Sequence, residues 1–275
     1  MQSFDRGGEV EVTGVSDFDL VKIFECGQCF RWNADENGVY TGVAFGRAAR
    51  LRREGSSVFI SCSPEDFEAI WREYFDLDRD YEEIRRRLRI DDFMSDAVEF
   101  GAGIRMLRQD KWEALCSFIT SQCNNIPRIK KIIASLCSEF GNKLEFEGET
   151  HYTFPSAERI AALNAEHLAP LRCGYRAEYI ISAAKAVAHG ALDLEALSHS
   201  APDAARCELK KLRGVGGKVA DCALLFGLHM LDAFPLDVWM KRAVAEHYGA
   251  DFDPTIFSPY AGIAQQYIFY YMRNA

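Results

Sequence analysis

A single change of hydrophobic period restricts the fold more than any other feature of the chain. From about residue 9 to 62, apolar and polar residues alternate in short runs, among them FRW, VYTGVAFG and SVFISCS, separated by turn clusters at Asn33 to Gly38 and Gly55 to Ser57. Successive side chains of a strand point to opposite faces of a sheet, so this pattern predicts an antiparallel meander. At Ser63-Pro64-Glu65-Asp66 the chemistry becomes that of a helix start, with a capping serine, proline in the first turn and acids that suit the positive end of the helix dipole. Helical periodicity follows almost to the C-terminus, predicting helices at 65–75, 80–89, 91–100, 111–121, 125–140, 156–162, 176–189, 193–198, 203–211, 217–229, 236–248 and 259–273. The expected fold class is α+β, with an N-terminal antiparallel sheet domain and flanking helices over 1–95 and a mainly helical domain over 96–275.

Charge and cysteine usage exclude several classes. Acidic residues outnumber basic ones 41 to 32, for a formal charge of −9, which argues against a nucleic-acid coat protein or a polybasic membrane binder. Any contact with nucleic acid must come from a local patch. The opening MQSFDRGGEV lacks a basic region followed by an apolar stretch, and no run approaches the roughly 18–20 apolar residues of a membrane span, so a cytosolic chain is expected, neither secreted nor membrane-bound. Nine cysteines lie between Cys26 and Cys222, mostly inside apolar segments, as reduced buried thiols would. Cys26 and Cys29 form the only CxxC, with no second pair or histidine pair at zinc spacing, and no metal is expected.

The most informative stretch is Leu209-Lys210-Lys211-Leu212-Arg213-Gly214-Val215-Gly216-Gly217-Lys218-Val219-Ala220-Asp221-Cys222. One helix ends, glycines turn tightly around an apolar residue, and a second helix begins with unpaired N–H groups pointing outward. Such a turn, Gly214-Val215-Gly216, suits a phosphate, and five basic residues against one acid between Arg206 and Lys218 supply the local patch. An ordinary αα-hairpin with a glycine cap is the competing reading. Lys218 opposes the dipole of its helix, a field that lowers the pKa of an amine, as nucleophilic use would require. Nineteen residues later Asp237 follows an apolar, proline-containing turn, where it is either a helix cap or a carboxylate aimed at developing positive charge.

Together these residues resemble the helix-hairpin-helix DNA glycosylase superfamily, and more closely its 8-oxoguanine DNA glycosylase/lyases. The resemblance runs from about residue 15 to the C-terminus through Gly27-Gln28-Cys29-Phe30-Arg31-Trp32, Cys123-Asn124-Asn125-Ile126-Pro127-Arg128, Cys173-Gly174-Tyr175-Arg176, Lys218-Val219-Ala220-Asp221-Cys222 and Pro259-Tyr260-Ala261-Gly262-Ile263-Ala264-Gln265. It implies a sheet domain like half of a TATA-binding protein joined to a helical domain. It also implies a double-stranded DNA partner containing oxidised guanine, preferably opposite cytosine, a monomeric enzyme without cofactor, and a place in the cytoplasm or nucleoid of a prokaryote or the nucleus of a eukaryote.

The site residues implied by this resemblance fall into four groups. Lys218 attacks the sugar C1′ to form a Schiff base that proceeds to β-elimination, and Asp237 stabilises the cationic sugar. Cys222 and Phe269 sandwich the flipped base, Gln265 reads its Watson–Crick edge, and the Gly27 carbonyl accepts the N7 proton that 8-oxoguanine has and guanine lacks. Arg128 and Arg176 read the unpaired cytosine, while Tyr175, Asn124 and Asn125 fill or border the vacated stack. Gly214, Val215 and Gly216 hold DNA phosphate.

Two positions depart from the family pattern, Cys123 in the asparagine run and Trp239 where relatives often carry histidine. The alternatives are a superfamily member with another lesion specificity or a non-catalytic DNA-binding scaffold. Against the first, alkylpurine enzymes generally lack the hairpin lysine, and endonuclease III-like enzymes carry cluster cysteines after the aspartate, whereas none follows Cys222 here.

Overall fold

The computed structural model describes all 275 residues. Its N-terminal part is a six-stranded antiparallel sheet of β1 (Gln2–Asp5), β2 (Val10–Thr13), β3 (Trp32–Ala34), β4 (Tyr40–Ala44), β5 (Arg47–Glu54) and β6 (Ser57–Ile60), in the order β1-β2-β6-β5-β4-β3. Register places Tyr40 opposite Leu51, and Leu51 and Val10 opposite Ile60, so the apolar members of the alternating pattern share one buried face. A helix over residues 64–74, with a wide turn at Phe67–Trp71, covers that face with Phe67, Trp71, Tyr74 and Phe75. Ser63 caps it as the sequence predicts, its side chain accepting from Asp66 N–H at 3.0 Å.

Each expected helix has a counterpart, and several elements were not anticipated, among them short helices at Ala165–Leu168, Ala169–Leu171 and Pro254–Phe257. β1 precedes the residue at which alternation becomes visible and is exposed throughout. A helix at Leu20–Glu25 interrupts the expected meander, capped by Asp19 and burying Leu20, Ile23 and Phe24. Six residues are too few for a period to stand out from its neighbours. A second hairpin, β7 (Lys143–Phe146) and β8 (Glu149–Tyr152), turns at Glu147 and Gly148, both with positive φ as a two-residue hairpin loop requires.

Two apolar clusters form the core, one beneath the sheet and a larger one among the helices. They interlock: Cys26 and Phe30 from the sheet half belong to the larger cluster, and Leu107 from the helical half to the smaller. The helix Asp92–Phe100 spans the division expected after residue 95, contributes Met94, Ala97 and Val98 to the larger cluster and packs on the last helix, Ala261–Asn274.

Polar side chains stitch the halves together in the interior. Arg105, almost fully buried, donates to the carbonyls of Ser16 at 2.8 Å, Asp17 at 2.9 Å and Asp76 at 2.7 Å. Gln28, fully buried, donates to the carbonyls of Ile23 at 2.9 Å and Arg105 at 2.8 Å and accepts from Leu107 N–H at 2.9 Å.

At the same junction His229 faces Asp76, Arg79 and Arg108, and neither ring nitrogen has a hydrogen-bond partner. Burial lowers its pKa from 6.5 to about 4, so the ring is neutral at pH 7 and its 3.8 Å approach to Asp76 is not an ion pair there. The unfolded chain therefore binds more protons than the folded one over this interval. The stabilisation is complete above about pH 6.5 and is lost as the pH falls toward 4, a change of about 3 kcal/mol. Urea unfolding between these pH values should show that slope, and His229→Asn, compatible with the positive φ at this position, should flatten it; equal slopes would contradict the assignment.

Candidate active site

A cleft of about 490 Å³ lies where the turn after the first helix meets the helical domain, a volume in the usual range for ligand pockets. Its lining brings together Gly27, Asn124, Asn125, Lys218, Asp237 and Phe269 from five separate stretches of sequence. A larger depression of about 670 Å³ around Trp112 and His229 contains none of the predicted site residues.

Lys218 enters from the hairpin. The helix Pro202–Lys210 ends, Gly214 adopts φ +81°, and Gly216 begins the helix Gly217–Cys222, which continues through a wide turn to Gly227. Val215 is buried and pins the turn, whereas Gly216 and Gly217 face open space and their N–H groups have no acceptor inside the protein. This supplies the outward-pointing donors of an anion seat. The basic patch is weaker than its sequence suggests. Arg206 is held by Asp221 at 2.6 Å and Asp203 at 2.5 Å, Lys211 by Glu208 at 2.7 Å and Arg213 by Glu178 at 2.8 Å, leaving Lys210 and Lys218 without a carboxylate partner. The Lys218 ammonium lies 3.3 Å from Ser121 Oγ and 5.5 Å above the Phe118 ring.

Asp237 is the helix cap of the first reading and also lines the cleft. Its Oδ1 accepts from Met240 N–H at 2.9 Å, capping Val238–His247, while no hydrogen bond within the protein engages Oδ2. The cap fixes the rotamer of a carboxylate that lines the cleft beside Lys218.

On the base side, Gly27 adopts φ +82°, and a Cβ there would lie 3.4 Å from Ile126 and 3.5 Å from Phe269. Its carbonyl accepts no hydrogen bond within the protein. Gln265 is buried, not a surface glutamine, and its Oε1 has no partner. A buried acceptor left unpaired is costly unless a ligand satisfies it. Cys222, one helical turn beyond Lys218, is also buried; burial pushes its thiol up to about 11 against the pull of the Lys218 charge, so it is a neutral packing surface at pH 7.

The residues expected to face the opposite strand are less uniform. Tyr175 is about half exposed, with the Arg176 guanidinium 4.6 Å from its ring centroid. Arg128 is exposed, its side chain meeting only the Arg172 carbonyl at 3.4 Å. Asn125 caps the helix Ile126–Phe140 by accepting from Arg128 N–H at 3.0 Å, and Asn124 donates to Thr120 O at 3.1 Å, so both amides are tied to backbone. Arg176, expected to read the unpaired base, is engaged within the chain. It is buried and donates to the carbonyls of Gln122, Cys123 at 3.0 Å and Cys173 at 3.3 Å. In this arrangement it holds the loop on which exposed Cys123 sits with φ +46°.

The sequence reading missed Arg273, which also lines the cleft. The signal was present: Gln265, Phe269 and Arg273 recur every fourth residue and so share one helix face.

A sheet domain, a glycine hairpin followed by a lysine, and a capping aspartate in one cleft define a base-excision architecture, and comparison with known proteins agrees. A family model described as 8-oxoguanine DNA glycosylase, N-terminal domain, matches residues 12–115, and one described as HhH-GPD superfamily base excision DNA repair protein matches 116–256. The chain belongs to the helix-hairpin-helix base-excision superfamily and, within it, to the 8-oxoguanine DNA glycosylase family. It is 34% identical to the N-glycosylase/DNA lyase of Saccharomyces cerevisiae over 259 residues, covering 85% of this chain and 69% of that protein. Among solved structures it superposes on MBOgg1, in complex with a low affinity DNA ligand, with TM-score 0.95 and 44% identity over 99% of this chain and 98% of that one. It also superposes on the Clostridium acetobutylicum 8-oxoguanine glycosylase/lyase, in complex with double-stranded DNA containing cytosine opposite 8-oxoguanine, with TM-score 0.94 and 38% identity over 99% and 98% of the two chains.

The hairpin geometry gives a direct test. A Cβ at Gly214 would strike the Tyr179 ring, and φ +81° disfavours any L side chain. Gly214→Ala should lower stability by at least about 1–2 kcal/mol in urea unfolding and weaken binding to undamaged duplex DNA, whereas unchanged affinity would remove the hairpin from the DNA interface.

Proposed function

We propose that this protein is a DNA glycosylase and lyase that extrudes 8-oxoguanine from duplex DNA, excises it and cleaves the strand. The observation that carries this reading is the meeting in one cleft of a lysine amine without a carboxylate partner, a helix-capping carboxylate and an unengaged glycine carbonyl. Extrusion costs a few kcal/mol, which pocket and wedge contacts must offset. Tyr175, half exposed beside the loop of Cys123, is the wedge in this reading.

The base enters with its Watson–Crick edge toward Gln265, whose orphaned Oε1 accepts a hydrogen bond from an N–H of that edge, and its faces against Cys222 and Phe269. The Gly27 carbonyl accepts from N7–H; ordinary guanine presents a lone pair there, so two acceptors would oppose each other. The Lys218 amine donates its lone pair to C1′ as the bond from C1′ to N9 breaks, the bonding electron pair leaving on N9, which takes up the proton that the amine sheds. The ring then opens to a Schiff base, from which β-elimination expels the 3′ phosphate. Asp237, through Oδ2, stabilises positive charge on the sugar. Gly214, Val215 and Gly216 seat a backbone phosphate.

No helix is long and apolar enough to cross a membrane. In this reading the protein acts as a monomer wherever the cell keeps its DNA, without a cofactor. Opposite-base reading falls to Arg128, because Arg176 spends its donors on the loop carbonyls.

Single-turnover excision from duplexes carrying 8-oxoguanine opposite each of the four bases tests the assignment. Cytosine should be preferred, and Arg128→Gln should reduce that preference; equal rates opposite adenine and cytosine in the wild type would overturn the role of Arg128. Lys218→Gln should bind the lesion duplex and fail to excise, and excision preserved in that variant would overturn the nucleophile.

A further inference from the structure

Discrimination of 8-oxoguanine from guanine by the Gly27 carbonyl depends on where that oxygen points. A peptide carbonyl in a three-residue turn rotates easily unless its neighbours are fixed. Here they are. The carbonyl of Cys26 accepts from Gln266 Nε2 at 2.7 Å, and the carbonyl of Gln28 accepts from Gln109 Nε2 at 2.7 Å. Both donors are buried, Gln266 at 1% and Gln109 at 9% exposure. The two carbonyls flanking Gly27 are thus each held by a buried amide, and the one between them is left without a partner.

We infer that Gln266 and Gln109 are positioning residues that hold the Gly27 carbonyl toward the flipped base, an inference that rests on the function proposed above. The placement of Gln266 supports it. Gln265 and Gln266 are adjacent on one helix and differ in what they meet: Gln266 grips the turn that presents the glycine, while Gln265, one helical turn before the cleft-lining Phe269, keeps an unpaired Oε1. The same helix turn therefore fixes the reader of N7–H and the reader of the Watson–Crick edge relative to each other. The sequence shows only two consecutive glutamines; the division of labour appears when the turn at 26–28 is seen against that helix.

The test separates positioning of the base reader from general support of the fold, because an abasic site has no base to read yet still requires the Lys218 amine. Gln266→Met and Gln109→Met keep the side-chain length and remove the donor. In single-turnover assays each should slow excision of 8-oxoguanine about tenfold, while cleavage of a duplex carrying a preformed abasic site stays within about twofold of wild type. Parallel loss of both activities in both variants would show a purely structural role and overturn the inference, as would excision at the wild-type rate. A wild-type protein that cleaves abasic DNA but leaves 8-oxoguanine in place would overturn the proposed substrate, and this inference with it.

Discussion

Buried amide and guanidinium side chains lock the sheet half to the helical half, and the site depends on that lock. Gln28 and Arg105 satisfy backbone groups of both halves in the interior. Leaving one such group unpaired costs about 1–3 kcal/mol, a large share of the roughly 5–15 kcal/mol that stabilises a typical domain. The halves therefore have little freedom to separate, and Gly27, which the sheet half supplies, stays in register with Lys218 and Phe269, which the helical half supplies. The active cleft is a property of the junction rather than of either half.

Within the cleft, structural and chemical roles are carried by the same atoms' neighbours. Asp237 spends one oxygen as a cap and leaves the other without a partner in the protein, so the helix start that orients it also limits its rotamers. Cys222 stays a neutral thiol because it is buried, and Lys218 carries the one amine that lines the cleft, Arg273 being a guanidinium. In a chain of formal charge −9, the exposed hairpin donors matter more than a basic field, since three of the five hairpin cations are already paired.

Much of this was legible in the sequence, for identifiable reasons. Long helices carry enough turns for their period to be read, and the hairpin is marked by glycines that only a tight turn requires. The helix Leu20–Glu25 was hidden because six residues inside an alternating stretch cannot establish a period. The fate of Arg176 was hidden because an arginine that binds carbonyls and one that binds a base look identical until the loop at 121–125 folds against it. Part of the weakness of the basic patch came from Asp203 and Glu178, which lie outside the hairpin stretch that suggested it, and part from Glu208 and Asp221, which lie next to it or within it. Pairwise partners set by tertiary structure are the part that residue types and spacing do not encode locally.

Borohydride reduction during reaction with a duplex containing one 8-oxoguanine opposite cytosine tests the central claim most directly, because it captures the covalent intermediate and identifies the amine. The account predicts one stable protein–DNA adduct whose cross-linked peptide contains Lys218 and which Lys218→Gln abolishes. An adduct mapped to another residue, or excision without any adduct, would contradict it.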